Sequence, residues 1–335
     1  MGVPSIVRDA EKLFLGQEGV VGVGVSDPEG YGEIIVYVES PEKAMALPRV
    51  FDGVPVRVIV AGKPRIFPLR ADLYSLEAFR TSNRDLVRPA VGGVSISDPT
   101  GTAGTLSMVT GALQIFSNAH VFGIDWEKGE PYPPFSGTPV LQPGRYDGGT
   151  DRDVIGKHVS TVLDEHVDLA VAIGFPDRVK PEYIWGGVRI DGWTLPYRGM
   201  AVSKVGRTTG MTSSVVIDVH GTVKVWGYPG GPRVFRDQVV VANPLMQFMA
   251  PGDSGSLLYT IYGGRALAVG LCFAGSEFIA LANKIEYVVA KGLVIGGYVP
   301  VKPPSWGGLI GNLGASLTPV SVAVGMLMVG LRQHY

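Results

Sequence analysis

One short segment constrains this chain more than any other, the six residues Pro251-Gly252-Asp253-Ser254-Gly255-Ser256. Glycines on both sides of an Asp-Ser pair allow a tight turn that brings backbone N–H groups beside one hydroxyl. A serine hydroxyl becomes a useful nucleophile only when a base accepts its proton and donors stabilise the oxyanion that follows. Ser254 therefore requires a histidine and a carboxylate from other parts of the chain.

The sequence supplies a candidate for each of these two groups. Of the five histidines, only His120 follows an apolar, strand-like run, residues 112–117. Asp168 stands at the head of the apolar run 168–173, where an ionised carboxylate is costly unless it is paired, for instance with an imidazole N–H. Asp164 is the alternative acid, although nothing apolar around it predicts burial.

The three candidates occur in the order histidine, aspartate, serine, which distinguishes the chymotrypsin arrangement from those of subtilisin and the α/β-hydrolases. The segments SNAHVF, VDLAVAI and APGDSGSLL resemble the histidine, aspartate and nucleophile motifs of trypsin-like serine proteases. This resemblance implies a mainly β chain with a chymotrypsin-like double six-stranded β-barrel. It also implies a serine endopeptidase that hydrolyses polypeptides through an acyl-enzyme, with His120, Asp168 and Ser254 as its triad.

Further segments resemble one subgroup of these proteases, found in bacteria, archaea and plants, to which the plant narrow-leaf proteins belong. They are VVGVGV, EIIVYVE and GVPVRV near the N-terminus, then RPAVGGVSISDPTGTAGTL and VGRTTGMT. The first three imply a small α/β domain ahead of the barrels. Because no catalytic constellation is visible in it, we expect this domain to assemble copies of the chain into a homo-oligomer or to deliver substrate.

The expected domain organisation has four parts. They are a small α/β domain at 1–63, a connector at 64–88, the protease double barrel at 89–299, and a Pro-rich spacer with an apolar, helical tail at 300–335. The first barrel is expected at about 89–175 and the second at about 199–291, with residues 176–198 as a long linker between them.

The resemblance also implies roles for residues around the nucleophile. The backbone N–H groups of Gly252 and Ser254 would form an oxyanion hole, while Asp253 would fix the turn. The substrate pocket would be lined by Phe248, Phe273, Ala274 and Gly275. Because none of these four is charged, we expect the pocket to prefer apolar side chains.

Composition excludes several other functions. The net charge is −1 with both signs interspersed, so no basic stripe for nucleic acid is present. The single cysteine, Cys272, rules out an intramolecular disulfide framework. No cluster has metal-ligand spacing, and we expect neither a metal nor a cofactor. The alternative function is a catalytically silent binding or assembly protein that retains the protease fold.

The C-terminal tail predicts a membrane anchor. Residues 303–331 contain no charged side chain, and about 20 apolar residues suffice to cross a bilayer. Trp306 and Arg332 flank the segment 306–331, as interfacial residues do. The alternative is a tail that packs on the barrel or on a neighbouring subunit. The start of the chain lacks the long apolar core of a signal peptide, which favours a cytoplasmic protease domain, whereas Arg332 weakly favours the opposite side.

Overall fold

The computed structural model describes residues 5–26, 32–45, 47–66, 82–100 and 103–292. The predicted apolar tail lies outside these described residues. The described part is mainly β, which confirms that prediction. Within it, none of the helices has both the length and the apolar character that crossing a membrane requires.

The described residues form four α-helices and twenty-two strands. The helices are α1 Ser5–Phe14, α2 Pro41–Ala44, α3 Ala119–Phe122 and α4 Ile285–Gly292. The first strands are β1 Val20–Val25, β2 Ile34–Val38, β3 Val50–Phe51, β4 Val54–Val60, β5 Ala90–Gly92, β6 Ser95–Ile96, β7 Gly104–Thr105, β8 Met108–Val109, β9 Gln114–Ser117, β10 Ile124–Asp125 and β11 Glu130–Pro131. The others are β12 Pro139–Leu141, β13 Val154–Leu163, β14 Asp168–Gly174, β15 Val179–Ile184, β16 Val188–Trp193, β17 Ala201–Gly206, β18 Gly210–Val225, β19 Arg233–Ala242, β20 Leu257–Tyr262, β21 Arg265–Gly275 and β22 Ile279–Lys284.

Strands β6 to β9 and β12 to β14 form a first barrel, while β10 and β11 form a separate hairpin. One sheet has the order β12-β13-β14-β9-β8, and β6 pairs with β7, which directly precedes β8 in the chain. A backbone bridge between Ser97, just after β6, and Leu141 at the end of β12 closes the ring. The antiparallel register of β9 and β14 pairs Ala170 with Ser117, so Asp168 lies beside the first turn of α3.

The second barrel closes by strand pairing alone. Its six antiparallel strands follow one another around the ring as β17, β18, β19, β22, β21 and β20, and β20 pairs back to β17. Its strand β21 is buried along almost its whole length because both of its faces are covered. Side chains such as Val269 and Cys272 enter one core cluster, and Leu271 enters another.

The barrels meet through a shared apolar cluster. On β14, Ala170 and Ala172 face the interior of the first barrel, while Leu169 and Val171 face the second. There they pack in one cluster with residues of β20, β21 and α4. The period-2 alternation of a strand thus lets β14 serve both cores.

The N-terminal strands continue the sheet of the second barrel. Strand β1 pairs antiparallel with β18, joining Gly22 to Val223, and β2 lies between β1 and a parallel β4. Helix α1 covers this extension through Ala10 and Phe14.

The segment 176–198, predicted to be a linker, contains two strands instead. Strands β15 and β16 form a hairpin around Gly186 and Gly187, both at positive φ, and β16 adds in parallel to β21. Sequence analysis missed the hairpin because exposed charged residues, such as Lys180 and Arg189, interrupt its apolar pattern.

Candidate active site

The structure brings His120 and Asp168 into direct contact. His120 Nδ1 lies 2.6 Å from Asp168 Oδ2, and the backbone N–H of His120 donates to Asp168 Oδ1 at 3.1 Å. Both side chains are buried, with exposed fractions of 2% and 0%. Since Nδ1 faces a carboxylate, the neutral ring carries its proton there, which leaves Nε2 as an acceptor.

Two asparagines hold the backbone of Asp168 in place. Asn118 Nδ2 donates to the carbonyl oxygen of Asp168 at 2.8 Å, and the N–H of Asp168 donates to Asn283 Oδ1 at 3.0 Å. Asn283 lies on β22 of the second barrel, so the acid is anchored from both barrels. Sequence analysis missed Asn283, because no local motif marks it.

The hydroxyl of Tyr228 donates a short hydrogen bond to Asp168 Oδ2, the same oxygen that faces the imidazole. Its ring meets that of His120 edge to face, with 6.2 Å between centroids. Burial, and after it the charge of Asp168, raises the pKa of Tyr228 well above its ordinary value. Tyr228 therefore remains a proton donor, and it is a site residue that the sequence did not indicate.

The nucleophile turn docks on strands of the first barrel. Thr105 of β7 receives the turn on both sides: its N–H donates to the carbonyl of Ser254 at 2.7 Å and its Oγ1 to that of Gly252 at 2.9 Å. Gly255 adopts φ +94°, and a Cβ there would lie 2.0 Å from the Thr105 oxygen and 2.2 Å from Ser117 Oγ. Only glycine permits this approach.

The same docking places Ser254 next to the helix that carries the histidine. A Cβ added to Gly104 would lie 2.4 Å from Val121 Cγ2 and 3.0 Å from the Ser254 carbonyl oxygen. Val121 directly follows His120, so the turn and α3 are immediate neighbours across this glycine.

The serine and the histidine are not hydrogen-bonded to each other in this structure. Ser254 Oγ donates instead to the carbonyl oxygen of Phe273 at 3.2 Å. His120 Nε2 is buried and has no hydrogen-bond partner among the described residues. The His120–Asp168 pair is therefore formed, whereas the contact between Nε2 and the serine hydroxyl is not.

Two N–H groups of the turn have no acceptor among the described residues. Within the residues that the structure describes, neither Gly252 N nor Ser254 N donates a hydrogen bond, although both residues are buried. Gly252 has φ +95°, which favours glycine at this position. These are the two groups expected from sequence to face an oxyanion.

Asp253 fixes the turn through a buried network. Its Oδ1 accepts from the N–H groups of Thr208 and Thr209 at 2.7 and 3.1 Å, and its Oδ2 from the N–H of Ala250 at 3.0 Å. Lys204 Nζ contacts Oδ2 at 3.2 Å, and both charged side chains are 0% exposed. Breaking such a buried pair costs about 3–5 kcal/mol. Sequence analysis predicted the role of Asp253 but not that of Lys204. Nothing in the strand around Lys204 indicates that this lysine is buried or paired.

Asp164, the alternative acid, lies elsewhere. Its Oδ1 accepts from the N–H groups of His166 and Val167, and Lys291 of α4 donates to its Oδ2. The contact with His120 is made by Asp168.

The four residues expected to form the substrate pocket are all buried. Phe248 packs in one core cluster, whereas Phe273 and Ala274 pack in another. Gly275 is paired with Arg65, which exchanges both backbone hydrogen bonds with it. No group of three or more His, Cys, Asp or Glu side chains that could hold a metal ion occurs in the described part of the chain.

Comparison with known proteins gives matches among solved structures only. No family model matches the chain, and no curated protein does. The chain is similar to Cellulomonas bogoriensis chymotrypsin and to Thermobifida fusca protease A, each with 17% identity and a TM-score of 0.42 over 60% of this chain and 94% of the other. It is also similar to the active form of the Rv3671c protease from M. tuberculosis, with 18% identity and a TM-score of 0.39 over 77% and 97% of the two chains. At these values the likenesses establish neither a family nor an activity.

Proposed function

We propose that this chain is a serine endopeptidase of chymotrypsin-like architecture with His120, Asp168 and Ser254 as its triad. The observation that carries the proposal is the buried His120–Asp168 pair, whose free Nε2 lies on the helix against which the Ser254 turn is docked. A buried imidazole nitrogen without a partner is costly, and rotation of the Ser254 side chain would supply the partner that Nε2 lacks.

The proposed reaction starts with a rotation of the Ser254 side chain from the Phe273 carbonyl to His120 Nε2. Ser254 Oγ then attacks the peptide carbonyl carbon while its proton passes to Nε2. The C–N bond breaks as the imidazolium returns that proton to the leaving amine, and an ester remains on Ser254. Water, deprotonated by the same nitrogen, hydrolyses the ester and restores the serine.

Asp168 and the turn supply the electrostatics of this mechanism. The carboxylate keeps the Nδ1–H tautomer and stabilises the imidazolium. The N–H groups of Gly252 and Ser254 are proposed to bind the oxyanion, each contributing roughly 3 kcal/mol to the transition state. Lys204 and Asp253 hold these donors in position.

A second candidate is a binding or assembly protein that retains the barrels without the chemistry. The observation that favours it is the hydrogen bond of Ser254 Oγ to the Phe273 carbonyl instead of to His120. The two candidates differ in whether the hydroxyl reacts.

A fluorophosphonate probe separates the two. We expect covalent labelling of the wild type and none of Ser254→Ala, with Ser256→Ala, the neighbouring serine of the same turn, as the matched control that still reacts. A wild-type protein that is not labelled, and does not hydrolyse a casein or peptide library, would leave the binding function.

We also propose that the segment 306–331, outside the described residues, anchors the protein to a membrane. Its composition supports this, because it carries no charged side chain. In fractionation, the full chain should require detergent for extraction, and a chain ending at Val299 should not. A full chain that remains soluble without detergent contradicts the anchor.

A further inference from the structure

Residues Pro64, Arg65 and Ile66 are inserted as a short extended segment between two strand ends. Arg65 N–H donates to the Gly275 carbonyl at 2.9 Å and Gly275 N–H returns a bond to the Arg65 carbonyl at 3.1 Å, an antiparallel pair. On the other side, Ile66 N–H donates to the Trp226 carbonyl at 2.9 Å and Trp226 N–H to that of Pro64 at 3.0 Å. The backbone of the segment is thus held on both sides.

The segment covers an edge of β21 that lies next to the candidate nucleophile. Strand β20 pairs with β21 only as far as Leu271, and Gly255 and Ser256 of the turn then bond to Cys272. Beyond Cys272, this edge of β21 would lack a pairing partner if residues 64–66 were absent. Phe273, two residues before Gly275, accepts the hydrogen bond from Ser254 Oγ.

The side chain of Ile66 approaches the site from its other side. It is 1% exposed and packs in one cluster with Tyr228, Phe235 and Phe273. Tyr228 in turn bonds to Asp168 and contacts the ring of His120. The segment therefore lies between the strand beside the serine and the tyrosine beside the histidine.

Proteins commonly bind extended peptides by adding them as a strand to an exposed sheet edge, with main-chain bonds for affinity and pockets for alternate side chains. We propose that residues 64–66 occupy the groove in which the substrate backbone binds, so that the protein blocks itself and a substrate must displace its own chain. The proposal rests on the proposed protease function. It also assigns the pocket beside Tyr228 to a β-branched aliphatic side chain of the substrate.

A displaceable segment has a defined kinetic signature. If only a small fraction of molecules has the groove free, the apparent affinity for a peptide is reduced by that fraction. Loosening the segment then lowers KM while kcat stays constant, since the chemistry after binding is the same.

A lockable variant tests the proposal. Antiparallel residues that exchange both hydrogen bonds have Cα atoms about 5.5 Å apart, within the range a disulfide spans. A Cβ at Gly275 would lie 3.0 Å from the Ile279 carbonyl oxygen, which requires only a small shift. The native Cys272 is buried, and burial raises the pKa of its thiol to about 12, so it does not compete for oxidation.

In the Arg65→Cys/Gly275→Cys protein, oxidation should lower peptide hydrolysis at least 100-fold, and dithiothreitol should restore it. Fluorophosphonate labelling of Ser254 should persist in both states, because the small probe does not need the groove. Equal peptide hydrolysis in both states overturns the proposal, as does loss of labelling together with hydrolysis on oxidation. A wild type that is not labelled overturns the proposed function, and this inference with it.

A second variant releases the segment instead of locking it. Ile66→Ala should lower KM for a peptide substrate at least tenfold with kcat unchanged. Ile34→Ala removes the same atoms from a buried position on β2 that packs against α1, away from the groove, and should leave KM unchanged. If KM does not fall in Ile66→Ala, residues 64–66 do not block the groove. An equal fall in Ile34→Ala would contradict the proposal as well.

Discussion

The part of the chain that the structure describes contains two buried His–Asp pairs, and the comparison between them shows what a catalytic pair would need. His120 and Asp168 meet at 2.6 Å between Nδ1 and Oδ2, and His220 and Asp237 meet at 2.6 Å between Nδ1 and Oδ1. Both aspartates are fully buried. Distance and burial therefore do not distinguish the two pairs.

Their surroundings do. Within the described residues, the other donors to the carboxylate of Asp168 are neutral, the N–H of His120 and the hydroxyl of Tyr228. Asp237 also receives Lys284 Nζ at 2.7 Å and the Tyr287 hydroxyl at 2.6 Å.

The pKa of Asp237 reflects those donors. Burial alone would raise it, but the hydrogen bonds and charges of His220, Lys284 and Tyr287 hold the pKa of Asp237 well below its ordinary value. The charge of Asp237 is therefore already balanced by Lys284, whereas no Lys or Arg among the described residues donates to the carboxylate of Asp168.

The largest expected difference between the pairs is in turnover. Ser254→Ala or His120→Ala should reduce kcat by about 10⁶, and the double variant should be hardly worse, because the two residues act as one unit. His220→Ala should leave kcat within about threefold and cost about 1.5–3 kcal/mol of stability through the lost hydrogen bond. Peptide hydrolysis and urea denaturation measure the two effects. A comparable loss of kcat in His220→Ala would make the second pair catalytic.

Substitution of the two aspartates should show the same difference between the pairs, with a smaller effect on kcat. Asp168→Asn should keep the fold and lower kcat by about 10⁴, because the amide favours the wrong imidazole tautomer. Asp237→Asn should retain activity but lose about 3–5 kcal/mol of unfolding free energy, since it leaves Lys284 buried without its counter-charge. Reversed outcomes, with Asp237→Asn inactive and Asp168→Asn merely less stable, would exchange the roles of the pairs.

A third acid beside the second pair makes stability depend on pH in a defined direction. Asp218 accepts from the N–H of His220 and the hydroxyl of Tyr37, yet burial raises its pKa to about 6. Because the folded state binds this proton more tightly than the unfolded state, stability falls as pH rises from about 4 to about 6, by up to about 3 kcal/mol.

The variant Asp218→Asn should remove that part of the pH dependence. Asp98, whose burial also raises its pKa to about 6, keeps its own contribution, so the difference between wild type and variant isolates Asp218. Thermal unfolding between pH 4 and pH 7 provides the measurement. Parallel curves for the two proteins would show that Asp218 does not titrate in this range.

The smallest effect is expected from the two tyrosines that donate to the paired acids. Tyr228→Phe removes a donor from Asp168, which leaves more negative charge for the imidazolium. It should move the acidic limb of the kcat/KM profile to higher pH. Tyr287→Phe, the matched change at Asp237, should cost about 1 kcal/mol of stability and leave the profile unchanged. Identical profiles for wild type and Tyr228→Phe would reduce Tyr228 to a packing role.

Local patterns predicted the parts of the site that local chemistry determines. Glycines around Ser254 specify a turn, and an apolar run after Asp168 specifies a buried strand, so each residue carries its own context in the sequence. The sequence around Tyr228, Asn283 and Lys204 contains no such local pattern. Each reaches the site through strand register and barrel closure, which depend on pairings across 49 to 115 positions.

The fold shows the same division. The mainly β class follows from frequent turns and apolar runs, and the elements α1, β1, β2 and β4 were recognisable individually. The pairing of β1 with β18 was not, because an exposed sheet edge has no sequence signature that names its partner.

The pairing of β1 with β18 joins parts of the chain that are synthesised far apart in time. Tyr37 and Asp218 lie 181 positions apart, and at 5–20 residues per second a ribosome needs roughly 10–40 s to synthesise the stretch between them. Strands β1 and β2 are thus synthesised well before β18, and the edge of β1 stays unpaired until β18 follows. During that interval an unpaired strand edge is a site at which another chain can add, so early packing of α1 onto β1 and β2 would favour correct folding.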